Sequence, residues 1–267
     1  MSKTDETNER YRAPALDKGL DIIELLSGVE ESMSQSEIAK ALDRSSNEIY
    51  RMLDRLVRRG YVARTSADRY EMTLKLFGLA HRHPPMRRLV SQSLPVMRCF
   101  AREAEQSCHM TVYDRGSLVV IAQVDAPGYW GIAIRVGSHI SLLNTGSGHL
   151  LLAFAPPAER ALMLEEREVM PHEIRVADFD ERLNRVRAQG YEMMPSQQTA
   201  GITNISMPLM GPSGRVLAAL TCAHLPRLDV DNPRSTDEVR ERLEAAAREI
   251  TAAAGGDWPD GPEGGRE

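Results

Sequence analysis

Ser46, Asn47, Tyr50 and Arg51 open a short amphipathic segment, and their side chains are of the kinds that read base edges. Asn and Arg can each make paired hydrogen bonds, to adenine and guanine, worth roughly 1–3 kcal/mol of discrimination apiece. Ser45 precedes them as a helix cap, while Ser36, Arg44, Arg55, Arg64 and Arg69 are candidates for phosphate oxygens, which position a duplex without reading it. The plainer alternatives are an ion pair of Arg51 with Glu48 or Asp54, and ordinary hairpin surface charge at Arg64 and Arg69. A second constellation, Gly146-Ser147-Gly148, opens an apolar helix whose free N–H groups favour an anion such as a carboxylate. The bland alternative there is a turn with a serine cap.

Two further sets invite chemistry and carry little. Cys108-His109, Cys222 and His224 could be read as metal ligands, but no C-x-x-C or H-x-x-x-H spacing supports them. Buried cysteine and hydrogen-bonded histidine are the commoner occupants of such strands. Ser147 with His149 lacks the Gly-x-Ser-x-Gly elbow of a hydrolase. No catalytic residue, metal or cofactor is therefore assigned.

The elements that must position the first set are two short helices and a hairpin. Ser34 with Glu37 and Ser45 with Glu48 form Ser-x-x-Glu patterns, in which hydroxyl and carboxylate reciprocally satisfy unpaired N–H groups at a helix start. They predict helices over about 35–42, burying Ile38, Ala39 and Leu42, and over about 46–59, burying Ile49, Leu53, Leu56 and Val57. Upstream, Leu16, Leu20, Ile22, Ile23, Leu25 and Leu26 make a helical stripe that stops at Gly28. Downstream, Tyr61–Ala63 and Arg69–Met72 read as strands around a polar turn, Thr65-Ser66-Ala67-Asp68. These are the parts of a winged helix-turn-helix over residues 13–72.

A polar arm, 1–12, precedes it and is expected to be disordered. Residues 73–85 read as a linker helix ended by Pro84-Pro85. In 86–254, a helix from Met86 to Glu105 is followed by strand-like runs at Met110–Tyr113, Leu118–Val124, Gly131–Val136, Ser206–Met210 and Leu217–Cys222. Helices interrupt these at about 146–155, 157–167, 178–189 and 234–254, an α+β pattern of antiparallel sheet and packed helices. A loose Gly- and Pro-rich tail, 255–267, ends the chain.

At 267 residues there is room for two cores. The net charge of −5 is uneven: residues 1–90 carry 16 basic against 14 acidic side chains, and 91–267 carry 17 against 24. Within 40–70 the balance is eight to four, a modest electrostatic footprint for a phosphate backbone, or else a solvated helix face. Three cysteines make no disulfide framework, no apolar run reaches the roughly twenty residues of a membrane helix, and Met1–Arg10 is no secretory signal. A cytoplasmic protein is expected.

The chain resembles the IclR-type (isocitrate lyase regulator) bacterial transcription factors over about residues 13–254. The resemblance is carried by Ala15–Leu26, Glu37-Ile38-Ala39, Ile49–Leu53 and Arg59-Gly60-Tyr61-Val62. It continues through Arg135–Ser138, Gly146–Phe154, Gly190-Tyr191, Gly201-Ile202, Ile205–Leu209 and Gly214–Leu220. It implies a C-terminal GAF-like domain that binds a small effector, a homodimer or dimer of dimers, and no catalysis. Positions matching the family's pocket are Tyr129, Ile132, Gly146, Ser147, Met194, Asn204, Thr221 and Ala223, with Trp130 adjacent. Three positions depart from the family pattern: Glu48 at the start of the recognition helix, Gln197, and His149 in place of a frequent Lys.

The expected function is a regulator that binds double-stranded DNA at a palindromic operator and answers to a small organic acid, aromatic or hydroxylated. Two alternatives stand beside it: a redox switch through Cys108 or Cys222, and a small-molecule enzyme with an accessory helical domain.

Overall fold

A computed structural model describes residues 13–65, 68–80, 84–170, 173, 178–231 and 233–259. The expected N-terminal arm, the centre of the hairpin turn (Ser66-Ala67), residues 81–83 of the linker and the end of the tail lie outside the described residues. The chain divides into two compact units, Met1–Arg87 and Arg88–Glu267.

The first unit is built from α1 (Pro14–Ser27), β1 (Met33–Ser34), α2 (Gln35–Ala41), α3 (Ser46–Arg58), β2 (Val62–Arg64), β3 (Arg69–Met72) and α4 (Lys75–Ala80). Both capping boxes are complete, so α2 and α3 start where the serines put them. Each such cap is worth about 1 kcal/mol. One apolar face from each helix meets in a core of Ile22, Leu26, Ile38, Ile49 and Leu53, closed by Val62 and Tyr70 from the hairpin. The α1 stripe is longer than its buried face: Leu16 and Leu20 remain exposed. A two-residue strand, β1, which the sequence does not announce, joins the hairpin in the antiparallel order β1-β3-β2.

The proline pair expected to end the linker helix instead opens α5 (Pro84–Ala104), because a first-turn proline forfeits no intrahelical hydrogen bond. In the second unit follow β4 (Cys108–Asp114), β5 (Ser117–Val124), β6 (His139–Ile140), α6 (Gly146–Phe154), α7 (Pro157–Glu165), α8 (Phe179–Gln189), β7 (Glu192–Pro195), β8 (Thr203–Met210), β9 (Val216–His224) and α9 (Thr236–Ala253). The strands form one antiparallel sheet, ordered β6-β5-β4-β9-β8-β7. Residues 131–136 do not form the expected strand; they run as an extended loop, and the ladder is taken up by His139–Ile140 instead.

Strand alternation sorts this unit into two faces. Cys108, Met110, Ile205, Met207, Leu220 and Cys222 pack with α5 and α9. Residues between them turn the other way, where Ala219 and Leu118 pack with α6, α7 and α8. Helices therefore cover both faces of the sheet. His109, Asn204, Ser206, Thr221 and Ala223 alternate with the first set, which puts them on the α6 side.

Candidate functional site

On the first unit, the side of α3 turned away from the core carries Asn47, Tyr50, Arg51 and Arg55, all exposed; Tyr50 has 55% of its surface open. Arg51 does not pair with either acidic neighbour. Glu48 is committed elsewhere: it accepts hydrogen bonds from the Ser45 N–H (3.2 Å) and hydroxyl (2.8 Å), and from Lys18 Nζ of α1 (2.5 Å). Asp54 takes Arg58 at 3.0 Å. The Lys18 contact, then the Ser45 hydroxyl, lower the Glu48 pKa to about 2. The acidic residue at the start of α3 is thus neutralised by α1.

The five phosphate candidates fare differently. Ser36, Arg44, Arg55 and Arg64 are exposed, with Arg44 4.0 Å from Asp21 and Arg64 2.6 Å from Asp68. Arg69 is turned inward: its Nε donates to the Ser32 carbonyl at 2.9 Å and its Nη2 lies 3.0 Å from Glu37. Its guanidinium clamps β3 to the loop before β1 and to the capping carboxylate of α2. Arg69 is a strut of the fold, and the phosphate role expected for it has no free donor fork behind it. Gln35 Nε2 donates to the Ser46 carbonyl at 2.8 Å, which ties α2 to the first turn of α3.

On the second unit, the α6 side of the sheet encloses a cavity of about 690 Å³. It brings together Ile132, Gly146, Ser147, Asn204, Thr221 and Ala223. The last three share a face because β8 and β9 pair in register, Asn204 opposite Ala223 and Ser206 opposite Thr221. The cap of α6 is Thr145, not a serine: its Oγ1 accepts from Gly148 N–H at 3.1 Å and donates to the Ser141 carbonyl at 2.8 Å. Among the described residues the N–H groups of Gly146 and Ser147 have no acceptor, and both residues line the cavity. Gly148 admits no side chain, since a Cβ would stand 2.0 Å from the Leu142 carbonyl oxygen.

Ser147 Oγ and Ser206 Oγ each lie 2.8 Å from Thr221 Oγ1, a line of three buried hydroxyls. Ser141 Oγ donates to Glu173 at 3.0 Å, and Arg167 Nε lies 3.3 Å from the same carboxylate. Among the described residues no Lys or Arg lines the cavity, so an anion there meets backbone N–H groups and neutral side chains. The loop 131–136 is held over it by hydrogen bonds from Ser107 Oγ to the Ile132 carbonyl and from Ile134 N–H to Gln123 Oε1.

The first unit matches the IclR helix-turn-helix domain over residues 15–66, and the second matches the bacterial transcriptional regulator IclR C-terminal domain over 86–252. The chain belongs to the IclR family. Among its relatives, the transcriptional regulator KdgR of Escherichia coli is 28% identical over 260 residues, covering 96% of this chain and 98% of that protein. The regulator BhcR of Paracoccus denitrificans is 25% identical, covering 89% and 86%. The crystal structure of the Thermotoga maritima IclR superposes with a TM-score of 0.71 at 22% identity, over 91% of this chain and 100% of that one. An IclR homolog of Microbacterium hydrocarbonoxydans complexed with 4-hydroxybenzoate superposes with a TM-score of 0.73 at 22% identity, covering 90% and 98%. This chain is accordingly a DNA-binding transcriptional regulator with the helix-turn-helix and sheet architecture of IclR proteins.

Two positions matched to the IclR pocket lie elsewhere. Tyr129 is 85% exposed and donates to Asp229 at 2.8 Å, because the 125–131 loop turns outward past the end of β5. Met194 is buried on the α8 side, its sulfur 3.9 Å from Arg182 Nη1. Trp130 does not line the cavity either, so its walls lack the aromatic side chains expected of them. Of the three departures from the IclR pattern, Gln197 lines the cavity and Glu48 is the capping group already described. His149 is not in the cavity lining: its Nδ1 stands 3.0 Å from Glu192 and its Nε2 2.6 Å from the Leu143 carbonyl. Its hydrogen bonds go to Glu192 and the Leu143 carbonyl and not to Ser147, so Ser147 and His149 do not form a nucleophile–base pair.

Residues that sequence reasoning missed are His109, Ile134, Ser141, Asn144, Glu173 and Ile202, all lining the cavity. The metal reading dissolves on strand alternation, which puts His109 on one face and Cys108 and Cys222 on the other; no metal-binding group of three or more occurs among the described residues. Cys108 and Cys222 face each other across β4 and β9, but burial pushes the Cys108 thiol up to about 12 and that of Cys222 well above its ordinary value. With so little thiolate, neither is a ready target for oxidants. Among the described residues no helix is long and apolar enough to cross a membrane.

Proposed function

We propose that this chain binds a palindromic operator as a two-fold dimer, and that a small organic acid in the α6 cavity sets its operator affinity. The observation that carries the effector half is the pair of N–H groups, Gly146 and Ser147, that have no acceptor among the described residues and belong to the lining of the cavity. A helix N-terminus of this kind favours a carboxylate. That a protein of the same fold is complexed with 4-hydroxybenzoate agrees with an organic acid as ligand. For the DNA half, Ser46, Asn47, Tyr50 and Arg51 read bases from the major groove, while Ser36, Arg44, Ser45, Arg55 and Arg64 meet phosphates.

A dimer is supported by the large apolar side chains left exposed on the first unit, Leu16 and Leu20 of α1 and Leu74 and Leu79 at α4. Surface of that kind is costly unless a second copy covers it. The ligand acts by favouring one arrangement of the paired DNA-binding units, since it can shift their equilibrium only by its differential affinity. The protein does no catalysis and works in the cytoplasm, where the chromosome is. Fluorescence anisotropy on fragments flanking its own gene, with and without a panel of organic acids, tests the reading. Salt-dependent operator binding that shifts with one of the acids supports it, and binding indifferent to every acid rejects the effector half.

A further inference from the structure

The solvent side of α3 sorts its side chains into occupied and free. Glu48 is taken by Ser45 and Lys18, and Asp54 by Arg58. Asn47, Tyr50, Arg51 and Arg55 are exposed and make no side-chain hydrogen bond, ion pair or ring contact among the described residues. Three of these four end in amide or guanidinium groups that water satisfies. Tyr50 differs: it leaves 55% of its surface in water and is not part of the core cluster beneath α3.

An aromatic ring in that position gains most from meeting an apolar group. In the major groove the base edges present hydrogen-bond donors and acceptors throughout, with one apolar exception, the 5-methyl group of thymine. Tyr50 follows Asn47 by three residues in α3, which sets their Cβ atoms about 5–6 Å apart on the helix surface. Base pairs stack roughly 3.4 Å apart, so two such neighbours reach edges within two base pairs of each other.

We propose that Tyr50 packs its ring against the 5-methyl group of a thymine lying within two base pairs of the base that Asn47 contacts. Each half-site then carries a methyl group that the protein requires in the major groove. Thymine supplies it, uracil lacks it, and 5-methylcytosine places it at the same point. The contact rests on the major-groove reading of α3 and adds which atom Tyr50 recognises.

Selection of duplexes from a random pool by the full-length chain supplies an operator, and anisotropy at fixed salt then reads it thymine by thymine. Uracil at one thymine of each half-site is expected to weaken binding about fourfold per half-site, and about fifteenfold when both are replaced. Uracil at the other thymines changes little. With cytosine at the sensitive position, 5-methylcytosine is expected to bind about fourfold more tightly than cytosine. Tyr50→Ala is expected to bind thymine and uracil operators alike, and Tyr50→Phe to keep the wild-type ratio. A wild-type chain indifferent to every uracil overturns the assignment, as does a thymine preference that survives in Tyr50→Ala. Tyr50→Phe binding all duplexes more weakly, with no effect of uracil, gives the hydroxyl to a phosphate and overturns it too. Asn47→Ala separates the two levels. If it leaves the selected sequence unchanged, the major-groove reading itself falls; if it alters that sequence while uracil stays without effect, only the Tyr50 contact falls. A pool that yields no enriched duplex overturns both.

Discussion

Gly148→Ala puts the α6 site to its hardest test. A Cβ at this position would stand 2.0 Å from the Leu142 carbonyl oxygen and 2.6 Å from its carbon, backbone atoms that cannot swing aside. Ordinary contact lies near 3.5 Å, so the 141–145 loop must retreat by more than about 1 Å. Three contacts hold it in place: Gly148 N–H on Thr145 Oγ1, Thr145 Oγ1 on the Ser141 carbonyl, and His149 Nε2 on the Leu143 carbonyl. Overpacking of this kind costs about 1–3 kcal/mol and a lost cap about 1 kcal/mol more. Alanine returns about 1 kcal/mol of helix propensity. The clash wins, leaving the second unit roughly 1–3 kcal/mol less stable, a fall of about 2–12 °C in its melting temperature. The displaced loop also spoils the N–H cradle, so organic acids lose their effect on operator binding. Differential scanning calorimetry and anisotropy read the two outcomes. A variant that melts with the wild type and keeps its acid response refutes the geometry drawn for this turn.

Gly19→Ala is the opposite case: no atom lies within 4 Å of a Cβ built there, in the middle of α1, so thermal unfolding should show the first unit stabilised by about 1 kcal/mol. Arg51→Ala should weaken operator binding by about 1–3 kcal/mol and relax base preference in gel shifts without moving the melting temperature. Arg69→Ala should instead destabilise the first unit, since it unties Ser32 and Glu37. The Glu48 carboxyl titrates at about 2 in the fold against an ordinary 4.5, so its contribution is present above the ordinary value and disappears as pH falls through about 2. Lys18→Met should shrink that acid-limb slope in a pH series of chemical denaturation, the part held by the Ser45 hydrogen bonds remaining.

The α2 and α3 starts were legible because a capping box is local: four residues decide it. The core stripes of the same helices were legible for the same reason, periodicity being a short-range signal. The cavity was only half legible. Gly146 and Ser147 announce themselves as a turn, whereas His109 reaches the site through the β4–β9 register, with Thr221 over a hundred positions downstream in the chain. Glu173 enters from a connection with no repeating pattern at all. Tyr129 was misplaced for a related reason: family position fixes a residue's place along the chain, but the outward loop decides where its side chain goes. Met194 pairs with Asn204 and so shares the face of the cavity, but its sulfur lies against Arg182 of α8 and not in the lining. Arg69 was misjudged because nothing in the local sequence says that the Ser32 carbonyl lies beneath it.

In the first unit the duties of the side chains are divided. Glu48, Lys18, Gln35 and Arg69 hold helices and hairpin together, while Asn47, Tyr50, Arg51 and Arg55 support nothing beneath them. The recognition surface is therefore a replaceable faceplate. On the proposed reading, exchanging Asn47, Tyr50 and Arg51 would redirect the protein to a new genomic address while the scaffold beneath them stays as it is.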